Sequence, residues 1–366
     1  MRSVAVFTDT YLPTVNGVTY TIKTWRDRWE SRGGRMDVVY PKTDGYAPRA
    51  GEYPVRSVPF PFYQGFRLGT PWIPRRVRDA EVVHAHTPFA VGLAGLRLGA
   101  DRPFVASYHT PTAEYADYLA SGDRLGRLLG AVSERYERWF LDRADAVLAP
   151  SETTANHLRE EVGVSTPVTV LPNGIDLGRF RPVDATAFRE RYGLAGVDGP
   201  LVGYTGRHGY EKRLRDAVDA AAGLDATLVF GGDGPARADL EARAAETGVD
   251  ARFLGFLDRD ELPAFYSALD AFVFPSPVET QGLVALEANA CGTPVVGADE
   301  GALADTVVSG VTGYRYPTGD VAALRDAVRR TLDERASLSE SCLARRDRHG
   351  VDRAVDRLEE VYERVA

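Results

Sequence analysis

Short apolar runs rich in β-branched residues alternate with amphipathic helical stretches along this chain, and the alternation runs twice. The first series is SVAVF at 3–7, MDVVY at 36–40, VVHAH at 82–86, FVASYH at 104–109, AVLAPS at 146–151 and VTVLP at 168–172. The second is PLVGYTG at 200–206, ATLVFGG at 226–232, ARFLGF at 251–256, AFVFPS at 271–276 and PVVGA at 294–298. Such a strand–helix–strand rhythm builds parallel sheets covered by helices. It predicts an α/β chain of two Rossmann-like domains, which 366 residues can supply. Helices are expected at 136–144, 153–161, 213–222, 236–245, 260–267 and Val321–Asp333. Between the series, LPNGIDLGRFRP (171–182) carries the Asn-Gly, Gly and Pro of a turn and reads as a hinge. The expected layout is a first domain at 1–170, the hinge at 171–182 and a second domain at 183–348. In the tail, 349–366, Val351, Val355, Leu358 and Val361 fall on one face of an amphipathic helix, expected to pack back toward the first domain.

Composition excludes several classes. Hydrophobic residues at 44% and charged residues at 26% suit a folded globular chain. Two cysteines, Cys291 and Cys342, provide neither a disulfide framework nor a Cys-type zinc site, and a cytoplasmic location is expected. The apolar start is too short before Asp9 for a signal peptide. The longest weakly polar run, 89–96, ends at Arg97, short of the roughly 20 residues a spanning helix needs. The formal charge of −8 is unevenly shared, with 22 basic against 20 acidic residues in 1–180 and 22 against 32 in 181–366. Nucleic acid is therefore not an expected partner, since phosphate neutralisation needs clustered positive charge.

The chemistry concentrates in PSPVETQGLVALEANACGTPVV, residues 275–296. Glu279 falls in the loop at a strand's carboxyl end, where open α/β sheets bind ligands. Glu287 falls inside the following helix, whose first amides, at Gly282, Leu283 and Val284, favour an anion such as phosphate. Two carboxylates flanking an anion site suit the hydroxyls of a sugar or ribose. The pair alone also permits a blander arrangement, with Glu279 as a helix cap and Glu287 solvated.

The whole string resembles the signature of family 4 glycosyltransferases, P-S-x-x-E-x-x-G-L-x-x-x-E-A-x-A-x-G-x-P-V-V. The resemblance continues through VFTDTYLPTVNGV (6–18), VVHAHTPF (82–89), YHTP (108–111), LPNGIDLGRF (171–180), GYTGRHGYEKRL (203–214), GGDGP (231–235) and FLGFL (253–257). It implies the GT-B fold, two facing Rossmann-like domains with an interdomain cleft, and a retaining hexosyltransferase that uses no metal or other cofactor. By the same resemblance Glu279 contacts the donor sugar, Glu287 holds the ribose, and Arg207 and Lys212 bind the diphosphate. Two fixed cations aimed at developing phosphate charge can stand in for a metal. The resemblance also places Gly17 at the donor phosphates, His109 at the transferred sugar and Gly255 near the nucleobase, with Asn16, Tyr108 and Tyr115 on the acceptor side. Domain closure over the donor is expected.

Other chemistries fit poorly. His84 and His86 share a strand face, but the sequence offers no third ligand nearby, so a structural role is expected, with His86 near the acceptor. Asp258-Arg259-Asp260 imitates a metal-binding D-x-D, yet it precedes a helix, and one of its aspartates is expected to cap that helix. No dinucleotide G-x-G-x-x-G or G-x-S-x-G elbow occurs. His208-Gly209-Tyr210 departs from the small or apolar residues that many relatives carry before Glu-Lys, and Gln281 stands where many carry Phe.

Within the family the opening motif, YHTP with Tyr115, and ETQGL are similar to the branch that glycosylates diacylglycerol-type lipids. The segment 59–78 mixes aromatic residues with Arg67, Arg75, Arg76 and Arg78, and 123–140 can form an amphipathic helix, both suited to an anionic lipid surface. The expected partners are a nucleotide-sugar donor, UDP-sugar over GDP-sugar, and a lipid acceptor at the cytoplasmic membrane face. The alternatives are a polyprenyl-linked or soluble acceptor, and a non-catalytic sugar-nucleotide-binding protein.

Overall fold

The computed structural model describes residues 1–60, 66–109 and 123–366. The chain forms two compact units, Met1–Gly174 with Val351–Ala366, and Ile175–Gly350. In the first, β1 (Ser3–Phe7), β2 (Arg35–Pro41), β3 (Glu52–Val55), β6 (Val82–Ala85), β7 (Phe104–Ser107), β8 (Ala146–Ala149) and β9 (Val168–Val170) form one sheet. Its order is β3-β2-β1-β6-β7-β8-β9, parallel throughout. A separate antiparallel pair joins β4 (Ser57–Pro59) to β5 (Arg67–Gly69). The central strands of the large sheet, such as β1 and β8, are almost wholly apolar because both their faces are covered. Ala5 and Phe7 enter one buried cluster, while the alternate residues Val4 and Val6 enter another.

The second cluster explains the C-terminal helix, Val351–Val365. Its Val351, Ala354, Val355, Leu358, Val361 and Tyr362 are buried in one cluster with Trp25 and Trp29 of the Gly17–Ser31 helix. Each Val or Leu side chain so buried contributes roughly 1.5–3 kcal/mol. Arg28 of the same helix and Arg32, which caps its end, pair with Asp352 at 3.1 and 3.0 Å, and Arg32 with Asp356 at 2.6 Å.

The second unit contains β10 (Leu201–Thr205), β11 (Thr227–Gly231), β12 (Ala251–Gly255), β13 (Ala271–Phe274), β14 (Val295–Ala298) and β15 (Gly313–Tyr316). They run parallel in the order β12-β11-β10-β13-β14-β15. The chain winds outward from β10 in one direction and from β13 in the other. That reversal opens a crevice at the carboxyl ends of β10 and β13, where this class of sheet takes its ligands.

Several elements differ from expectation. The helix expected at 136–144 spans Asp123–Leu141, and the one expected at 153–161 is α-helical only over Glu152–Asn156 before widening to a π-helix. Neither aspartate of 258–260 caps the following helix, Leu262–Ala268, whose cap residue is Glu261 with no side-chain bond. Asp260 instead pairs with Arg179, and the Glu261 carboxylate accepts from the Asp258 amide at 3.1 Å.

The helix expected from 213 is broken at its first residue. A 3-10 turn, Tyr210–Lys212, is followed by Arg213 at φ +50° and then by the Leu214–Ala221 helix. Arg213 is the one non-glycine residue with positive φ among the described residues. Left-handed backbone costs a non-glycine residue about 1 kcal/mol or more, while its ion pair with Asp216 is partly exposed and worth little. Arg213→Gly should therefore be more stable to urea than Arg213→Ala by about 1 kcal/mol. Equal stability of the two variants would show that the turn stores no strain.

Candidate active site

The second domain gathers its charged candidates in the loops after β10 and β13. Lys212 Nζ donates to Glu279 Oε1 at 2.7 Å, both side chains being less than one-fifth exposed. Arg207 Nη2 donates to Glu211 Oε1 at 2.6 Å. Gly209 leaves room for the Glu211 carboxylate in that second pair: a Cβ there would lie 2.2 Å from its oxygens and the side chain would have to shift. The same loop is pinned to the loop after β11, with His208 N donating to Asp233 O and Ala236 N to His208 O, each at 2.9 Å. His208 itself is buried among Tyr204, Phe230 and Phe253. Burial holds its pKa below the ordinary histidine value.

Gly282 caps the Leu283–Ala290 helix with φ +75°, and a Cβ would sit 2.8 Å from Leu303 Cδ2, so the turn that starts the helix admits little but glycine. Leu283 and Val284, half-buried, supply its first amides. Glu287 is not solvated: it is 3% exposed, accepts from Tyr266 Oη at 3.0 Å and lies 3.4 Å from Arg259 Nη2. Burial raises its carboxyl pKa, with Arg259 and Tyr266 opposing. The Arg259 guanidinium also lies 5.1 Å from the centre of the Phe180 ring. Gly255 ends β12 at φ +73°, its carbonyl accepting from Gly232 N at 2.6 Å.

In the first domain the loop after β1 is rigidly tied. The buried Asp9 carboxylate accepts from the amides of Val91 and Gly92, at 2.9 and 3.2 Å, and from Thr87 Oγ1 at 2.6 Å. It thereby caps the Ala90–Leu98 helix, and burial raises its pKa. Gly17 is exposed and opens the Gly17–Ser31 helix, so its amide belongs to a helix N-terminus rather than to the loop before it. Asn16 and Tyr108, expected on the acceptor side, are both engaged inside the domain. Asn16 caps the Gly17–Ser31 helix through Thr19 N at 2.9 Å and donates to Thr10 Oγ1 at 2.7 Å. Tyr108 is 5% exposed and lies 3.4 Å from Glu137 Oε2. His109 is half-buried at the end of β7, with Nε2 2.8 Å from His86 Nδ1. Tyr115 lies outside the described residues.

The motifs single out Arg207, Lys212, Glu279 and Glu287, but no sequence signal marks Glu211, Arg259 and Tyr266 as partners of Arg207 and Glu287. Among the described residues no group of three or more His, Cys, Asp or Glu is arranged to hold a metal ion. No described helix is long and apolar enough to cross a membrane.

The sequence profile of Glycosyltransferase Family 4 matches residues 15–179, and that of Glycosyl transferases group 1 matches residues 189–346. A 2-deoxystreptamine glucosyltransferase of Streptomyces kanamyceticus is 36% identical over 293 residues, covering 76% of this chain and 73% of the relative. An alpha-monoglucosyldiacylglycerol synthase of Streptococcus pneumoniae is 30% identical over 316 residues, covering 80% and 70%. Sucrose-phosphate synthase from Thermosynechococcus elongatus has the same fold, with a TM-score of 0.81 at 23% identity over 100% of this chain and 99% of that one.

Proposed function

The chain belongs to glycosyltransferase family 4 and has the GT-B fold, and from that premise we propose that it moves a hexose from a nucleotide diphosphate sugar, UDP-sugar in preference to GDP-sugar, to a hydroxyl of a membrane lipid, with retention and without a metal. The observation that carries the reading is the 2.7 Å pair of Lys212 and Glu279, with Arg207 on the same loop, at the carboxyl ends of β10 and β13. Lys212 and Arg207 take the diphosphate, exchanging their carboxylate partners for phosphate oxygens, and stabilise charge on the departing nucleotide. Glu279, released from Lys212, accepts hydrogen bonds from the sugar hydroxyls. Glu287, oriented by Tyr266 and Arg259, takes the ribose hydroxyls, the Leu283 and Val284 amides serve the phosphates, and the Gly255 backbone lies along the base. Gly17 contributes its helix-terminal amide to the donor phosphates, and His109 meets the sugar near the reacting carbon.

The lipid acceptor is supported by the diacylglycerol-acting relative and by one surface of the first domain. Val58 and Leu68 face each other across β4 and β5, 60% and 36% exposed, and Trp72 is 62% exposed nearby in sequence. Arg56, Arg75, Arg76 and Arg78, close to them in sequence, are exposed, and residues 56–78 contain no acidic side chain. Such a face suits an anionic bilayer, to which the enzyme binds peripherally from the cytoplasmic side. A second reading, a soluble polyhydroxylated acceptor, is favoured by the greater identity to the 2-deoxystreptamine enzyme.

Nucleotide release from a panel of UDP- and GDP-sugars, with and without host lipid extract, separates these readings. Lipid-stimulated release with a UDP-hexose, lost in Lys212→Ala, is the expected result. Release indifferent to lipid but stimulated by an aminocyclitol would replace the lipid with the soluble acceptor. No release with any donor would sink the transferase reading, and the anomeric proton coupling of the product reports retention or inversion.

A further inference from the structure

Burying a polar side chain costs free energy that an apolar one of the same shape avoids, yet the first domain buries two imidazoles, His84 and His86, and sets the half-buried His109 against them. His84 is fully buried, with Nδ1 2.7 Å from Tyr362 Oη and Nε2 2.8 Å from Ser107 Oγ. His86, two residues along and 2% exposed, has its ring centre 4.2 Å from that of His84. Its Nδ1 lies 2.8 Å from His109 Nε2, the two rings within 8° of parallel. Trp25 packs beside both His84 and His86, at 6.1 and 5.7 Å between ring centres. Packing alone gives no reason for an imidazole at 86. What His86 adds is a hydrogen bond to His109.

A contact between two neutral imidazole nitrogens holds a single proton, so one ring donates and the other accepts. The states of His86 Nδ1 and His109 Nε2 are therefore coupled, and with them whether the neutral His109 ring carries its hydrogen on Nδ1. We propose that His86 is a positioning residue for sugar transfer, fixing the ring plane and the tautomer with which His109 meets the sugar. This rests on the role given to His109 above. Tyr362, from the C-terminal helix, and Ser107 anchor His84 from both sides, and the His84 ring limits the tilt of His86. The helix that returns to the first domain thus also braces a candidate active-site residue.

Selective 15N labelling of histidine tests this without any substrate. At pH 7.5 the expected spectrum shows His109 as one neutral tautomer, with a 15N–15N coupling across the hydrogen bond to His86 Nδ1. In His86→Phe, which keeps a ring and removes the bond, that coupling should vanish and the His109 15N shifts should move away from their wild-type values. In the transfer assay His86→Phe should lower kcat roughly tenfold to a hundredfold, the scale for a misplaced reacting group, with the donor KM changed by no more than about twofold. His86→Asn, whose amide reaches the place of Nδ1, should recover most of the loss. A His109 of mixed tautomer in the unaltered protein overturns the proposal even if His86→Phe fails to fold. Wild-type turnover in a folded His86→Phe, or no rescue by Asn, overturns it as well. Lys212→Ala reads the transferase assignment separately, so a failure here leaves that assignment standing.

Discussion

Replacing Lys212 by Ala should lower kcat for sugar transfer by roughly a hundredfold to a thousandfold, the cost of removing one preorganised charge at a developing anion. The ammonium is less than one-fifth exposed and held by Glu279 at 2.7 Å, so it is fixed before the donor arrives. A fixed cation in a poorly hydrated site stabilises the leaving diphosphate more than the same charge free in water. Arg207→Ala should act in the same direction but less strongly, because its side chain is 41% exposed and already shared with Glu211. The substitution at 212 also leaves the Glu279 carboxylate without its cation, which by itself destabilises the second domain. Lys212→Ala combined with Glu279→Ala should restore much of the stability and none of the turnover. Initial rates of nucleotide release, beside urea midpoints for the single and double variants, separate the two effects. A folded Lys212→Ala enzyme turning over within about threefold of wild type would remove Lys212 from the chemistry.

What the sequence concealed follows from the same kind of pairing. The strands that were legible are those buried on both faces, such as β1 and β10, because burial leaves them uniformly apolar. β3 was not, since it reads Glu-Tyr-Pro-Val. Its Glu52 is buried as the shared acceptor of Tyr11, Tyr46 and Arg26, a network assembled from three distant stretches of chain. The Ala90–Leu98 helix has no readable period because its glycines answer to close neighbours: a Cβ on Gly92 would meet Thr87 O, and one on Gly95 would meet Phe7. The Gly17–Ser31 helix begins with β-branched residues that disfavour helix locally, and its packing against the C-terminal helix overrides them. At the site, motif spacing identified Glu279 and Lys212 separately. Their contact spans 67 positions and exists only once β10 and β13 lie side by side.

Acid should unfold the first domain through its histidines. In an unfolded chain each imidazole takes a proton near pH 6.5. In the fold, burial holds His84 down to about 3 with His109 adding to the effect, keeps His86 well below its ordinary value and brings His109 to about 4. These groups bind fewer protons folded than unfolded, so the stability they permit is complete above pH 6.5 and is lost as pH falls toward 4. Each fully buried imidazole costs about 1.4 kcal/mol per pH unit in that window. By pH 5 the fully enclosed His84 and His86 together remove roughly 4 kcal/mol, a large share of the 5–15 kcal/mol that holds an ordinary domain. Asp9 and Asp37 act oppositely, because burial raises both carboxyls and the fold then takes up their protons earlier. Their window opens upward from the ordinary carboxylate range, so the imidazoles dominate the first step below pH 6.5. All four tryptophans, Trp25, Trp29, Trp72 and Trp139, lie in the first unit, so tryptophan emission follows this unit alone. Its urea midpoint should fall steeply between pH 7.5 and pH 5, and His84→Gln should flatten the slope by about one imidazole's share. A midpoint that stays constant over that range would mean the imidazoles are hydrated and free to titrate in the folded domain.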